Sequence, residues 1–270
     1  MWKSKNMSVR IGIVLALIFT VSIISNNTDK ELMDRSVEMS ESIVVAFPLR
    51  GEWLSPNTPG SKIPSHGTDQ LGTRYAYDFI QVNREKMGWP AYRVSFPHYL
   101  LFGVPLSDYY CWGQDVYAPC DGIVVAAEDG YEEGTRTNLI SDLSNANRNA
   151  HYFDPRKDDI QSVAGNYIII RIDDNIYAAL AHLQTGSVQV TAGQTIKKGE
   201  LIGRVGNSGN SLAPHLHFQL MDSSDMATAN GLPCAFEEYE VFRDGEWQNV
   251  KNGIPKDRER IRVLKLSYDC

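Results

Sequence analysis

Two of the six histidines in the chain, His215 and His217, are separated by a single residue in the run PHLHFQL over residues 214–220. In a β-strand, side chains two positions apart point to the same face of the sheet. The run therefore predicts a strand that presents His215, His217 and Gln219 on one face and its three intervening apolar side chains on the other. Two imidazoles held side by side in this way suit metal binding or proton transfer.

A catalytic zinc site needs three protein ligands and one open position for water. One histidine of the pair can supply a ligand, and His66 and Asp78 are the candidates for the other two. Asp78 lies between Tyr77 and Phe79, where an ionised carboxylate is costly to bury unless it is paired or bound to a metal. The alternative is that Asp78 lies on the solvent face of an amphipathic strand.

His182 lies in a similarly apolar run, AALAHL over residues 178–183. A histidine there is either a core residue with satisfied hydrogen bonds or part of a site. His98 and His151 have no such context, and we interpret both as structural or surface residues.

These side chains must be positioned by strands, because the chain shows no long apolar period of 3.6 residues. Short runs rich in β-branched and aromatic residues, bounded by turn residues, predict strands at 75–82, 123–127, 167–172, 176–183, 201–205 and 215–220. The run EVFRDGEW over residues 240–247 has Asp-Gly between two alternating arms, which predicts a β-hairpin. The fold class is therefore all-β, with two long loops at 83–115 and 128–163.

Five segments in a fixed order carry a family resemblance. They are VYAPCDGIV at 116–124, GNYIII at 165–170, AHL at 181–183, residues 190–206, and NSG at 207–209 leading into PHLHF at 214–218. Together they resemble the lysostaphin-type (LytM-like) zinc endopeptidases over roughly residues 45–240. The resemblance implies antiparallel β-sheets of that peptidase type, a duplicated hybrid motif, here with long loop insertions.

The same resemblance implies roles for individual residues. His217 matches a zinc ligand, His215 and His182 match the two catalytic imidazoles, and an upstream His and Asp complete the site around one Zn²⁺ per chain. The upstream pair is commonly four residues apart in the family, whereas His66 and Asp78 are twelve apart. Asp69 lies between them in a turn-like sequence and is the alternative ligand, although the strand context favours Asp78.

Two other functions fit parts of the sequence. Residues 190–203 also resemble half of a biotinyl or lipoyl carrier module, but Lys197 and Lys198 do not lie at a hairpin tip, where a carrier needs its lysine. A member of the same family that has lost hydrolysis and acts as a cell-wall-binding or regulatory scaffold is the second alternative. The expected function is hydrolysis of peptide bonds, with peptidoglycan peptides or another peptide as substrate.

The amino-terminal sequence predicts export. Lys3, Lys5 and Arg10 precede an apolar run at 11–24, which is 14 residues long and shorter than the ~20 needed to span a bilayer. We therefore interpret residues 1–25 as a signal peptide or N-terminal anchor, 26–43 as a polar stalk and 44–270 as the metallopeptidase domain, which ends in a β-hairpin extension. The mature protein is expected to be secreted or extracytoplasmic, with membrane contact only through an uncleaved leader.

The charge balance and the cysteines restrict the partners and the compartment. A net charge of −7 argues against nucleic acid as a partner. Cys111, Cys120, Cys234 and Cys270 would meet an oxidising compartment, where disulfides are permitted. Four cysteines allow three connectivities, and free buried thiols are a further alternative.

Overall fold

The structure is a computed structural model that describes residues 39, 41–138, 153–155 and 157–264. The leader, nearly all of the stalk, His151, Cys270 and much of the 128–163 loop lie outside the described residues. Residues from Glu41 onward belong to one compact unit. The proposed domain boundaries stay a prediction.

Strands dominate the described part of the chain. They are β1 (Ile43–Val45), β2 (Gly51–Asn57), β3 (Tyr77–Ile80), β4 (Val104–Pro105), β5 (Asp115–Tyr117), β6 (Gly122–Glu128), β7 (Arg136–Thr137), β8 (Asn166–Asp173), β9 (Ile176–Leu183), β10 (Thr195–Ile196), β11 (Leu201–Arg204), β12 (Leu216–Met221), β13 (Gly231–Leu232), β14 (Cys234–Arg243), β15 (Glu246–Gly253) and β16 (Ile261–Val263). The helices are α1 (Phe96–Phe102) and α2 (Gln161–Ala164), and 3₁₀ turns occur at Gln70–Tyr75 and Leu106–Asp108.

One large sheet organises the molecule. Its strand order is β1-β14-β16-β2-β3-β12-β9-β8-β6-β10, with β13 paired to β12 and β15 paired to β14. The ladders are antiparallel apart from the parallel pair of β1 with β14. The predicted all-β class is thus confirmed, and the predicted hairpin forms between β14 and β15 with Asp244 and Gly245 at its turn.

Alternation along the central strands separates the main core from the face that carries Asp78. Tyr77 and Phe79 of β3 pack into the main core together with Leu216 and Phe218 of β12. Asp78, between the two β3 aromatics, therefore projects to the opposite face. The face that carries Asp78 also holds a second, smaller hydrophobic cluster, which includes Ile169, Ala179, Ala181 and Met221.

The predicted loop at 83–115 is only partly irregular. It contains α1, capped at its start by the Ser95 side chain, which accepts a hydrogen bond from the His98 backbone N–H. The short helix escaped prediction because Pro97 and the aromatic residues around it break any helical period. In the described ranges, no helix is both long enough and apolar enough to cross a membrane.

The three described cysteines, Cys111, Cys120 and Cys234, are buried free thiols. Burial raises the pKa of both Cys111 and Cys120 to about 12, which leaves these thiols protonated and unreactive at neutral pH.

Candidate metal centre

Three neighbouring strands position most of the candidate site. β12 lies between β3 and β9, and His217 is the register partner of Asp78 on one side and of Ala181 on the other. Directly opposed residues in an antiparallel pair have close Cβ atoms on the same face. Accordingly, His217 Nδ1 lies 3.0 Å from Asp78 Oδ1.

His66 reaches the same carboxylate from the loop before β3. The backbone N–H of Ser65 donates to the Arg74 carbonyl oxygen at 2.9 Å, which closes the loop formed by the intervening residues. This closure returns His66 to the start of β3, so that His66 Nε2 lies 3.0 Å from Asp78 Oδ2. The twelve-residue separation in sequence is therefore compatible with direct contact.

His182 is turned toward the site by an irregularity in β9. The pairing of β8 with β9 shifts between Asn166↔Leu183 and Ile168↔Leu180, which leaves one extra residue in β9. His182 itself has a φ of 59°, unusual for a residue other than glycine. Such bulges re-aim side chains, and the His182 ring lies 4.6 Å from the His215 ring, centroid to centroid.

His215 directly precedes β12 and is held by its own local turn. Its Nδ1 lies 2.8 Å from the Ala213 carbonyl oxygen and 3.1 Å from Ser211 Oγ. Its Nε2 lies 3.4 Å from Asp78 Oδ1. The predicted same-face arrangement therefore brings His215 and His217 to one carboxylate.

The hydrogen-bond partners indicate which nitrogens carry protons. A carbonyl oxygen only accepts, so Nδ1 of His215 donates to Ala213, and Nδ1 of His182 donates to the Ser208 carbonyl at 2.8 Å. In the neutral imidazole the other nitrogen then holds a lone pair. His182 and His215 both keep Nε2 as a proton acceptor.

Gln219 assigns the tautomer of His217. Its side-chain N–H donates to the Leu71 carbonyl oxygen at 2.7 Å, which orients the amide so that Oε1 faces His217 Nε2 at 2.8 Å. His217 Nε2 must then be the donor, and its Nδ1 lone pair points to Asp78. Gly72 makes room for this contact, because a Cβ there would come within 2.9 Å of Gln219 Nε2 and its φ is +73°.

A comparable pattern surrounds His66 and Asp78. The Ser65 hydroxyl donates to the Thr73 carbonyl oxygen, so it accepts from His66 Nδ1 at 2.9 Å and leaves the Nε2 lone pair toward Asp78. The Asn57 side-chain N–H donates to Asp78 Oδ2 at 2.6 Å. The Asn57 amide thus orients the carboxylate, and the lone pairs of His66 Nε2 and His217 Nδ1 face it at 3.0 Å, with that of His215 Nε2 at 3.4 Å.

Burial and the neighbouring groups shift the pKa values of Asp78 and of three of the histidines. Burial raises the pKa of Asp78, but the imidazoles of His215, His66 and His217 outweigh it and hold the pKa well below its ordinary value. Burial lowers the pKa of His217, yet the adjacent Asp78 raises it overall. Burial, reinforced by His215 and His217, holds the pKa of His182 well below its usual range, and burial also lowers the pKa of His215.

The donor set fits a cation such as zinc. His66, Asp78 and His217 bring ligand atoms within 4.8 Å of one another, and His217 also belongs to a second such group with His182 and His215. The two 3.0 Å contacts to Asp78 are close to the roughly 3.3 Å edge of a tetrahedral zinc site. Within the described residues, the basic side chains that contact the Asp78 carboxylate are imidazoles, and no Lys or Arg pairs with it. The lone pairs of His66 and His217 face the buried, negatively charged Asp78 carboxylate, and these groups repel one another. A proton or a metal ion between them removes the repulsion.

Asp69 does not join this cluster. Its side chain is 64% exposed and pairs with Arg74 at 2.8 Å. His98 is not part of the cluster either. It is an exposed residue on α1 whose ring contacts Phe102.

The sequence interpretation missed Asn57 and gave Gln219 a face but no role. Gln219 had a usable signal, because it follows His217 by two residues in the same predicted strand. Asn57 had none, since its contact with Asp78 depends on the pairing of β2 with β3.

The cluster opens into a cavity of about 370 Å³. Its lining is Pro56, Asn57, His66, Asp78, Ile80, His182, Asn210, Leu212, Ala213, His215 and His217. All five candidate residues therefore face one space that is large enough for part of a peptide. Their roles as ligands and catalytic groups stay predictions.

Comparison with known proteins finds a family match for the part of the chain that contains three of these five residues. Residues 155–229 match Peptidase family M23, a range that includes His182, His215 and His217. The chain is 29% identical over 110 residues to Endolysin 2638A of Staphylococcus phage 2638A, covering 38% of this chain and 22% of the endolysin. It is 32% identical over 109 residues to Peptidoglycan DD-endopeptidase ShyC of Vibrio cholerae, covering 40% of this chain and 19% of that protein.

Two solved structures are among those that match part of the chain. The catalytic domain of lysostaphin from Staphylococcus simulans is 24% identical, with 54% of this chain and 86% of that chain covered and a TM-score of 0.30. The M23 metalloprotease pseudoalterin is 13% identical, with 82% and 99% covered and a TM-score of 0.39. The match over residues 155–229 and the related sequences confirm the resemblance drawn from the motifs, and the chain spans about a fifth of the length of these two relatives.

Proposed function

We propose that this protein is an exported zinc-dependent endopeptidase that hydrolyses peptide bonds of bacterial cell-wall peptidoglycan. The observation that carries the proposal is the convergence of His66 Nε2, the Asp78 carboxylate and His217 Nδ1 beside two further imidazoles in one open cavity. The M23 match supports the peptidase class. The peptidoglycan endopeptidase activity named for ShyC supports the substrate, and the leader sequence supports export.

In this proposal His66, Asp78 and His217 hold the ion. Two neutral imidazoles and one carboxylate leave such a centre with a net charge of plus one. When bound, zinc supplies a Lewis acid that polarises a carbonyl oxygen and lowers the pKa of water to about 7. Asn57 orients the Asp78 carboxylate, and Gln219 orients His217.

His182 and His215 supply the proton transfers. Each is oriented by a backbone carbonyl through Nδ1, which leaves Nε2 unprotonated, and both residues line the cavity. The depressed pKa of His182 keeps it neutral near pH 7, ready to accept a proton from the attacking water. After protonation an imidazole donates to the oxyanion or to the leaving amine.

Metal removal tests the proposal directly. Incubation of the full chain with purified peptidoglycan is expected to release new amino termini, identified by mass spectrometry. Chelation is expected to abolish this release and added zinc to restore it, because the chain's own side chains lack a Lewis acid. Full activity in a preparation shown by elemental analysis to be metal-free excludes the metallopeptidase function.

The scaffold alternative predicts a different result from the same material. A scaffold protein that has lost hydrolytic activity binds peptidoglycan but releases no amino termini at any zinc concentration. A carrier module shows neither stoichiometric zinc nor hydrolysis. Zinc at one per chain together with new amino termini supports the peptidase and excludes both alternatives.

Gln219 offers a test of the inferred tautomer of His217. Gln219→Met fills a similar volume but removes the acceptor for His217 Nε2–H, so zinc affinity is expected to fall about 10- to 100-fold. Gln219→Glu keeps an acceptor and is expected to retain most of the affinity. Competition with a fluorescent zinc chelator measures both. Equal affinity in the Met and Glu variants excludes the orienting role, and thermal unfolding of the metal-free variants separates this effect from a loss of stability.

A further inference from the structure

Helix α1 leaves its apolar side chains in solvent. None of its seven residues is buried, and Phe96, Leu100, Leu101 and Phe102 are 51–71% exposed. A helix of a soluble protein normally buries its apolar residues against the core. The exposed side chains of α1 therefore need another explanation.

The exposure continues into the segment before the helix. Among the described residues, nine large hydrophobic side chains are exposed, and six of them lie within residues 87–102: Met87, Trp89, Phe96, Leu100, Leu101 and Phe102. Single exposed hydrophobic residues are ordinary, but a concentration of them marks an interaction surface. We refer to residues 87–102 as the apolar segment.

Basic residues border the apolar segment. Arg84 and Lys86 precede it, Arg93 lies within it, and the only acid among residues 84–102 is Glu85. At the other end, Arg136 donates to the Phe102 carbonyl oxygen at 2.6 Å. Basic residues thus outnumber acids along the segment, in contrast to the net charge of −7 for the whole chain, while Arg84 also lies near Glu52.

The combination of chemical types favours lipid over the other partners. Sugars are recognised by aromatic faces together with polar side chains, whereas Met87, Leu100 and Leu101 offer nothing to hydroxyl groups. Exposed aromatic and aliphatic side chains bordered by Lys and Arg are the pattern of segments that lie in the interface of anionic membranes. With seven residues, α1 is too short to span a bilayer and suits only the interface.

We infer that the apolar segment docks the domain on an anionic lipid surface, with the α1 side chains in the headgroup and upper acyl region and the basic residues at the phosphates. The inference rests on the proposed export, because the surface is then presented to a membrane outside the cytoplasm. This contact is separate from any held by the leader.

A tryptophan reporter in α1 tests the contact. Leu101→Trp in the full chain adds a tryptophan at an exposed position. Its fluorescence is obtained by subtracting the wild-type spectrum from the spectrum of the variant. In vesicles of phosphatidylglycerol and acyl-brominated phosphatidylcholine, the reporter is expected to be quenched and blue-shifted. Val44→Trp is the matched control, since Val44 is 41% exposed on the edge strand β1, four strands from β3, and is expected to stay unquenched.

Two further changes in the Leu101→Trp background test the chemistry. Leu100→Ser is expected to lower the association constant of the protein for the vesicles about tenfold. This constant is obtained from the quenched fraction of the reporter at increasing lipid concentration. Lys86→Gln is expected to lower it about fivefold, and added salt is expected to weaken docking. Because the leader is unchanged in every variant, anchoring by the leader alone leaves all reporters equal.

Several outcomes overturn the inference. These are an unquenched Leu101→Trp reporter, equal quenching of Val44→Trp, or equal quenching in neutral phosphatidylcholine vesicles. Concentration-dependent dimerisation that Leu100→Ser abolishes assigns the segment to a second copy of the chain instead. Hydrolysis of a soluble wall peptide is measured on the same samples: retained hydrolysis without docking overturns only the docking surface, and docking without hydrolysis overturns only the proposed function.

Discussion

Replacing Asp78 by alanine is expected to remove zinc from the protein and to lower hydrolysis by about a thousandfold or more. Asp78 is the only carboxylate that the described structure brings to the imidazoles, and it contacts His66 and His217 at 3.0 Å each. Without it, two imidazoles leave the ion underligated. Zinc per chain, measured by elemental analysis after gel filtration, and turnover on peptidoglycan check the result together.

Two control variants make this result specific. Asp78→Asn preserves size and polarity, so it is expected to fold like the wild type while still losing zinc. Asp69→Ala removes an exposed side chain that pairs with Arg74, and surface pairs of this kind contribute little to stability. It is expected to keep zinc near one per chain. Zinc lost in the Asp69 variant and retained in both Asp78 variants transfers the ligand to Asp69.

Strand periodicity predicted much of this site from the sequence. The period of two placed His215, His217 and Gln219 on one face, and the apolar neighbours of Asp78 indicated a strand. The structure confirms both strands, with β3 shorter than predicted and β12 beginning one residue later. These features depend on local sequence, which is why local sequence reveals them.

His182 shows where local reasoning stops. Simple alternation places it on the opposite face from Ala181, and the bulge in β9 reverses that direction. The bulge depends on pairing with β8 and on the hydrogen bond from the Gly206 N–H to the His182 carbonyl. Both partners are distant in sequence, so nothing in the run AALAHL reveals the φ of 59° at His182.

The loop that carries His66 shows the same limit for a different reason. Its closure uses positive φ values at Leu71 and Gly72, and only the glycine hints at such a conformation. The Leu71 carbonyl then orients Gln219 and, through it, His217. A chain of contacts that passes through a backbone oxygen leaves no residue type to recognise.

His182→Ala and His215→Ala are each expected to lower turnover by about a hundredfold or more while zinc stays near one per chain. Neither imidazole is needed to hold the ion if His66, Asp78 and His217 are the ligands. Both line the cavity and keep an unprotonated Nε2, so either loss removes a proton acceptor or donor from the proposed reaction. His98→Ala is the matched control, because His98 is exposed on α1, and it is expected to leave turnover unchanged.

Zinc content decides between the two possible metal groups, since His217 belongs to both. If His66, Asp78 and His217 hold the ion, then His66→Ala loses zinc and His182→Ala keeps it. If instead the ion lies among His182, His215 and His217, the pattern reverses and His66→Ala keeps zinc. The first pattern is expected because His66 Nε2 and His217 Nδ1 both face the Asp78 carboxylate at 3.0 Å, an arrangement that a proton or a metal ion between them stabilises. Loss of zinc from the His182 or His215 variant would make that residue a ligand and overturn its assignment as a catalytic group.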